Sequence, residues 1–119
     1  MSLPLDPADV VLAITTVTSP DDASRLVRAL LAERLVACGT LLPGARSLYH
    51  WEGEVTDELE VVVLLKTTAQ RLDALGDAFA ELHPYEVPEL LVFRSQAGLP
   101  AYLGWVRDEI DPLGDDADD

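Results

Sequence analysis

Two helical periodicities, each bracketed by β-branched or apolar runs, constrain this chain more than any other feature. In the first, Ala23, Leu26, Val27, Leu30 and Leu31 recur at the spacing of one apolar helix face, with Arg25 and Arg28 turned to water. Ser19 is a good N-cap, Pro20 suits the first helical position, and Asp21 and Asp22 favour the positive helix start. The helix is expected to end near Arg34. In the second, Leu72, Leu75, Phe79 and Leu82 form the inner face, and Thr67 with Gln70 has the pattern of a capping box. Pro84 disfavours helical geometry at His83 and stops that helix.

The flanking segments read as strands. "VVLAITTV", Val10 to Val17, is apolar on both faces, as a central strand is. "LVACGTLLPG" reads as a second strand leading to a turn or kink at Pro43-Gly44. "ARSLYHWEGEVTDELEVVVLLKTT" reads as a long β-hairpin with Glu52-Gly53-Glu54 at its tip and the buried run Val61 to Leu65 in its returning strand. "PELLVFR" is the fourth strand, with Pro88 at its start. "LPAYLGWVRDEI" is a short third helix with Pro100 in its first turn. The order β-α-β-β-α-β puts both long helices on one face of an antiparallel sheet. The predicted fold is α+β, a ferredoxin-like β-α-β-β-α-β sandwich with a long β-hairpin and a C-terminal helix. Residues 1–8 are expected to form an N-terminal extension, 9–111 the domain, and 112–119 an acidic disordered tail.

Charge narrows the function. The 119 residues carry 22 acids against 8 bases, a formal charge of −14, which argues against nucleic acid and against an anionic membrane as partners. One cysteine, Cys38, fits a reducing cytosol, and the first residues have neither a basic region nor a long apolar one, so a cytoplasmic location is expected. Tyr49 and Trp51 sit near the tip of a hairpin with little of its own chain to pack on, which points to another subunit. No GxGxxG or P-loop pattern is present. A Cys38–His83 nucleophile and base would lack oxyanion donors and an orienting third group.

Four blocks in order, "LAERLVACGTLLPGARSLYHWEGEV", "VVVLLKTT", "LHPYEVPELLV" and "YLGWV", resemble the CutA family of divalent-cation tolerance proteins from Val10 to about Ile110. The resemblance implies a homotrimer whose hairpins lock around a three-fold axis. It also implies PII-like inter-subunit clefts, tolerance to copper and other divalent cations, and no enzymatic activity. It singles out His83, which matches a histidine implicated in metal binding, together with Glu89 and Glu86 of the same block and Lys66 of the "KT" pair. Two ligands seen in relatives are absent: Thr15 and Thr16 end the first strand where a cysteine can stand, and Leu82 precedes His83 in place of a second histidine.

The candidate metal ligands, for copper or zinc, are therefore His83, Cys38, Glu86 and Glu89. Each has a plain structural alternative: a C-terminal helix histidine, a small buried hydrophobe, and glutamates paired with Lys66 or with Arg46 across a subunit boundary. Lys66, Tyr85 and Arg46 are the candidate cleft residues, and Tyr49 and Trp51 the candidate trimer contacts. Tyr102 and Trp105 read as packing, and His50 as facing solvent. The alternative to a metal binder is a PII-like signalling or scaffold trimer that binds a small metabolite or a protein partner.

Overall fold

The computed structural model describes residues 5–111, so the expected tail at 112–119 and the first four residues of the extension lie outside the described residues. Its elements are β1 (Val10–Val17), α1 (Pro20–Ala32), β2 (Cys38–Trp51), β3 (Glu54–Thr68), a 3₁₀ turn (Ala69–Arg71), α2 (Leu72–Leu82), β4 (Leu91–Arg94) and α3 (Pro100–Ile110). The strands form one sheet in the order β2-β3-β1-β4, antiparallel throughout. This is the expected ferredoxin-like α+β arrangement. Among the described residues no helix is long and apolar enough to cross a membrane.

Helix α1 forms as its sequence dictates. Asp22 N–H donates to Ser19 Oγ at 3.1 Å, Pro20 opens the first turn, and Ala23, Leu26, Val27 and Leu30 are buried. These meet Ala13, Val17, Val63, Leu65, Leu75 and Phe79 in the main core. Full burial of a side chain such as Leu30 or Leu75 contributes about 1.5–3 kcal/mol. Leu31, expected on the inner face, is 40% exposed at the edge of the stripe. The helix closes through Arg34, whose φ of 57° is left-handed. Helix α1 lies close over the sheet at Gly39, where a Cβ would lie 2.8 and 2.9 Å from the two γ-carbons of Val27.

Strand β2 runs unbroken from Cys38 to Trp51, so Pro43-Gly44 is a kink and not a turn. The register slips between Leu42 and Ala45, and Gly44 takes a φ of 84° there, which makes the site a bulge. Beyond it β2 and β3 pair out to Trp51 opposite Glu54. The two residues between, Glu52 and Gly53, have φ of 51° and 83°, the double positive φ of a type I′ turn. The hairpin draws the molecule out to 57 Å against 30 and 25 Å across.

Four local expectations need correction. β2 begins at Cys38 and not at Leu35, because Leu35 N–H still bonds to Leu30 of α1. The Thr67–Gln70 capping box does not form: Thr67 lies inside β3, and its hydroxyl donates to Leu35 O at 2.7 Å. The free amides before α2 go to the N-terminal segment instead, Ala69 N–H to Asp9 O at 2.9 Å and Gln70 N–H to Pro7 O at 3.0 Å. β4 starts at Leu91, three residues after Pro88, and Leu82 is 39% exposed at the end of α2.

Helix α3 is tied down by a second, smaller core. Its Val106 and Ile110 pack on Val10 and Ala37, with Leu103 alongside. Arg71 donates to Ile110 O at 3.1 Å, Arg34 to Glu109 O at 3.0 Å and Arg107 to Ala8 O at 2.9 Å. Pro7 and Ala8, at the inner end of the expected extension, are thereby held to the 3₁₀ turn and to α3.

Candidate functional site

The segment after α2 carries a histidine whose ring takes part in three hydrogen bonds. His83 caps α2 in an extended conformation, as Pro84 requires. Its ring is buried at 7% exposure, 5.4 Å from the Phe79 ring and 5.0 Å, edge-on, from that of Tyr85. Nδ1 accepts the Tyr85 backbone N–H at 3.1 Å, so the neutral ring carries its proton on Nε2. Nε2 lies 2.9 Å from Thr15 Oγ1 and 3.1 Å from Thr16 O. Burial holds the imidazole pKa below 6.5, against opposing effects of the Thr16 carbonyl and Glu60.

Tyr85, fixed by that backbone bond, donates its hydroxyl to the carboxylate of Glu60. The phenol pKa is pushed well up, first by burial and then by Glu60. Glu60 is the last residue before the buried run of β3 and is itself only 7% exposed. In front of this pair opens a cleft of about 580 Å³ between the hairpin and the α2–β4 segment. Strand alternation decides what enters it. Tyr49 and Trp51 share a hairpin face with their partners Thr56 and Glu54, and with Glu58 two residues along. Tyr49, Trp51, Thr56 and Glu58 all line the cleft, with Tyr49 donating to the Glu58 carboxylate. That bond is the main cause of the raised Tyr49 pKa. Glu86, Val87 and Glu89 close the other side, and Thr16 and Thr18 the floor.

The structure thus brings Tyr85, Glu86, Glu89, Tyr49 and Trp51 together and sets His83 directly behind them. It does not bring Arg46, Lys66 or Cys38 to this cleft. Arg46 lies on the opposite hairpin face and pairs with Asp57. Lys66 and Cys38 are cross-strand partners at the far end of the hairpin, where Lys66 Nζ donates to Thr40 Oγ1 at 2.7 Å. Cys38, half-buried, neighbours Tyr102, whose pKa is raised by burial and secondarily by the thiol. Sequence reasoning passed over Glu58, Glu60 and the Thr15–His83 bond. The signal for Glu60 was available: an acid directly before an unbroken buried strand run has to find a partner.

The donor set of one chain does not make a metal centre. Both His83 nitrogens are engaged, and among the described residues no three His, Cys, Asp or Glu side chains converge to hold an ion. What the cleft offers is negative charge on aromatic walls. Glu58, Glu60, Glu86 and Glu89 line it without a basic side chain, and none of the four takes part in an ion pair among the described residues.

Residues 11–109 match the family model described as CutA1 divalent ion tolerance protein. A divalent-cation tolerance protein CutA of Salmonella newport is 49% identical over 92 residues, covering 76% of this chain and 80% of the relative. The crystal structure of CutA from Xylella fastidiosa is 41% identical with a TM-score of 0.84, covering 87% of this chain and 99% of that one. A structure from Archaeoglobus fulgidus, described as a periplasmic divalent cation tolerance protein CutA, is 25% identical with a TM-score of 0.81, over 85% of this chain and 98% of its own. The chain belongs to the CutA1 divalent ion tolerance family.

Proposed function

We propose that this chain works as a homotrimer that binds a divalent cation, copper or zinc, at the acidic cleft, completed at a subunit boundary. The observation that carries the proposal is the set of four carboxylates, Glu58, Glu60, Glu86 and Glu89, lining one cleft without a basic neighbour. A site so charged recruits cations. His83 and Cys38 do not converge with these carboxylates in one chain, so any further ligand comes from a neighbouring subunit. Self-association is supported by the second hairpin face, where Leu48, Val55 and Leu59 are each 65–67% exposed. The open sheet residues Leu42, Leu91 and Phe93 are exposed as well. A cytoplasmic location fits the single cysteine, and cell fractionation against the periplasmic alternative tests it.

Titration calorimetry of metal-free protein with copper and zinc tests the proposal, repeated on Glu86→Gln, Glu89→Gln, His83→Ala and Cys38→Ser. Loss of affinity in the two glutamine variants is expected. Undetectable binding by the unmodified chain refutes the metal assignment. A second reading, a PII-like trimer that binds a small metabolite or a protein partner, is favoured by the cleft's size and by Tyr49, Trp51 and Tyr85 in its wall.

A further inference from the structure

We propose that His83 is a positioning residue for the cleft and not a ligand within it: its ring ties the segment after α2 to β1 and so holds Tyr85, and through Tyr85 the Glu60 carboxylate, in the cleft wall. For its effect on binding the inference rests on the reading of this cleft as a cation site. Three observations carry it.

The first is the place of the ring. The residues that line the cleft include its partners Thr16 and Tyr85 but not His83, which is buried behind them.

The second is the use of both nitrogens. Nδ1 takes the Tyr85 N–H at 3.1 Å, and Nε2 faces Thr15 Oγ1 at 2.9 Å and Thr16 O at 3.1 Å. A metal binds a neutral imidazole through the lone pair of one nitrogen. Coordination at Nδ1 takes the acceptor from the Tyr85 amide. Coordination at Nε2 moves the ring proton to Nδ1, where it meets the Tyr85 N–H donor against donor. Either way the ring releases Tyr85 and leaves polar groups inside the protein without partners.

The third is where the bonds lead. Nε2 reaches β1, Nδ1 reaches the backbone of Tyr85, and the Tyr85 hydroxyl reaches Glu60 on β3. One chain of contacts therefore joins both strands to the α2–β4 segment. Nδ1 makes that chain continuous: an acceptor bonded to Cγ that takes the N–H two residues on has the geometry of an Asx turn. Pro84, between His83 and Tyr85, keeps the link stiff. An asparagine supplies an acceptor where Nδ1 stands without an imidazole, and a leucine supplies neither. This pair of replacements separates positioning from coordination.

NMR of carboxyl carbons and backbone amides in the full chain reads the positioning, with His83→Leu, His83→Asn and Tyr85→Phe compared. His83→Leu should speed exchange of the Tyr85 amide and shift the Glu60 carboxyl resonance in the direction that Tyr85→Phe shifts it. His83→Asn should bring both back towards the unmodified chain. A Glu60 resonance that Tyr85→Phe moves and His83→Leu does not overturns the inference. Circular dichroism checks the fold. If His83→Leu does not fold, Thr15→Val with His83→Leu, which leaves no orphaned hydroxyl, takes its place. Zinc calorimetry on the same proteins reads the consequence. Groups that orient ligands without touching the ion are worth about 10- to 100-fold in metal affinity. His83→Leu and Tyr85→Phe should each weaken zinc binding about tenfold or more, and His83→Asn should recover most of the loss. Equal loss in His83→Asn and His83→Leu, with full binding by Tyr85→Phe, makes His83 a ligand and overturns the inference. Absence of zinc binding by the unmodified chain refutes the cation site instead, and the NMR comparison then decides whether His83 positions Tyr85 and Glu60.

Discussion

Replacing His83 by leucine isolates the polar part of its role, because leucine retains most of the apolar contact with Phe79. Thr15 is fully buried, and its hydroxyl has the His83 ring as partner at 2.9 Å. The Thr16 carbonyl loses its 3.1 Å donor at the same time. Each buried polar group left without a partner costs about 1–3 kcal/mol, so with two such groups His83→Leu is expected to lower the unfolding free energy by about 2–6 kcal/mol. Removing the orphaned hydroxyl as well should restore part of it: Thr15→Val with His83→Leu replaces both partners by apolar groups of similar shape, and a recovery of about 1–2 kcal/mol is expected. Urea unfolding followed by circular dichroism, at one fixed chain concentration because association shifts apparent stability, measures all four proteins of the cycle. A coupling below about 0.5 kcal/mol would show that the bond does not hold the segment in place.

Other outcomes follow from the same geometry. The pKa of His83 lies below 6.5 in the fold, so the unfolded chain binds a proton first as the pH falls. His83 should therefore contribute stability that is complete above pH 6.5 and declines below it, a slope seen in urea midpoints and absent from His83→Leu. Gly39→Ala drives a methyl into Val27 and should cost about 1–3 kcal/mol by overpacking, whereas Gly76→Ala meets nothing within 4 Å and should not. Leu59→Glu puts a charge on the apolar hairpin face, and light scattering should report a smaller assembly; an unchanged mass would remove that face from the interface. Tyr85→Phe takes from the buried Glu60 carboxylate its one side-chain donor among the described residues, so a loss of about 1.5–3 kcal/mol is expected in the same urea assay.

Much of the fold was legible because periodicity and terminators agreed. Ser19, Pro20 and the Ala23–Leu30 stripe specified α1 to within a residue or two, and Pro84 ended α2 where the chain turns. Failures came where tertiary contacts overrode a local signal. The Thr67 hydroxyl belonged to Leu35, so a capping pattern became strand, and Gly44 absorbed one slip in register, so of the expected turn or kink the structure has the kink, as a bulge. The site was half legible for a related reason. "LHPYEVPELLVF" marked a stiff segment, and Tyr85, Glu86 and Glu89 do meet in one cleft. Its other wall comes from the hairpin, and which hairpin residues face it depends on strand register beyond the bulge, a slip of one residue that inverts every side chain. Composition could not show that either, which is why Glu58 and Glu60 went unnoticed while Arg46, on the opposite face, was expected at the site.

Trp51 offers the most direct test of a cation in the cleft. The chain has two tryptophans, so Trp105→Phe leaves Trp51 as the sole indole, and it lines the cleft opposite Glu86 and Glu89. Its emission should change saturably as zinc or copper is added, with a midpoint equal to the calorimetric one, and the change should vanish in Glu86→Gln. Full calorimetric binding with Trp51 emission unaltered would place the cation elsewhere and contradict the assignment.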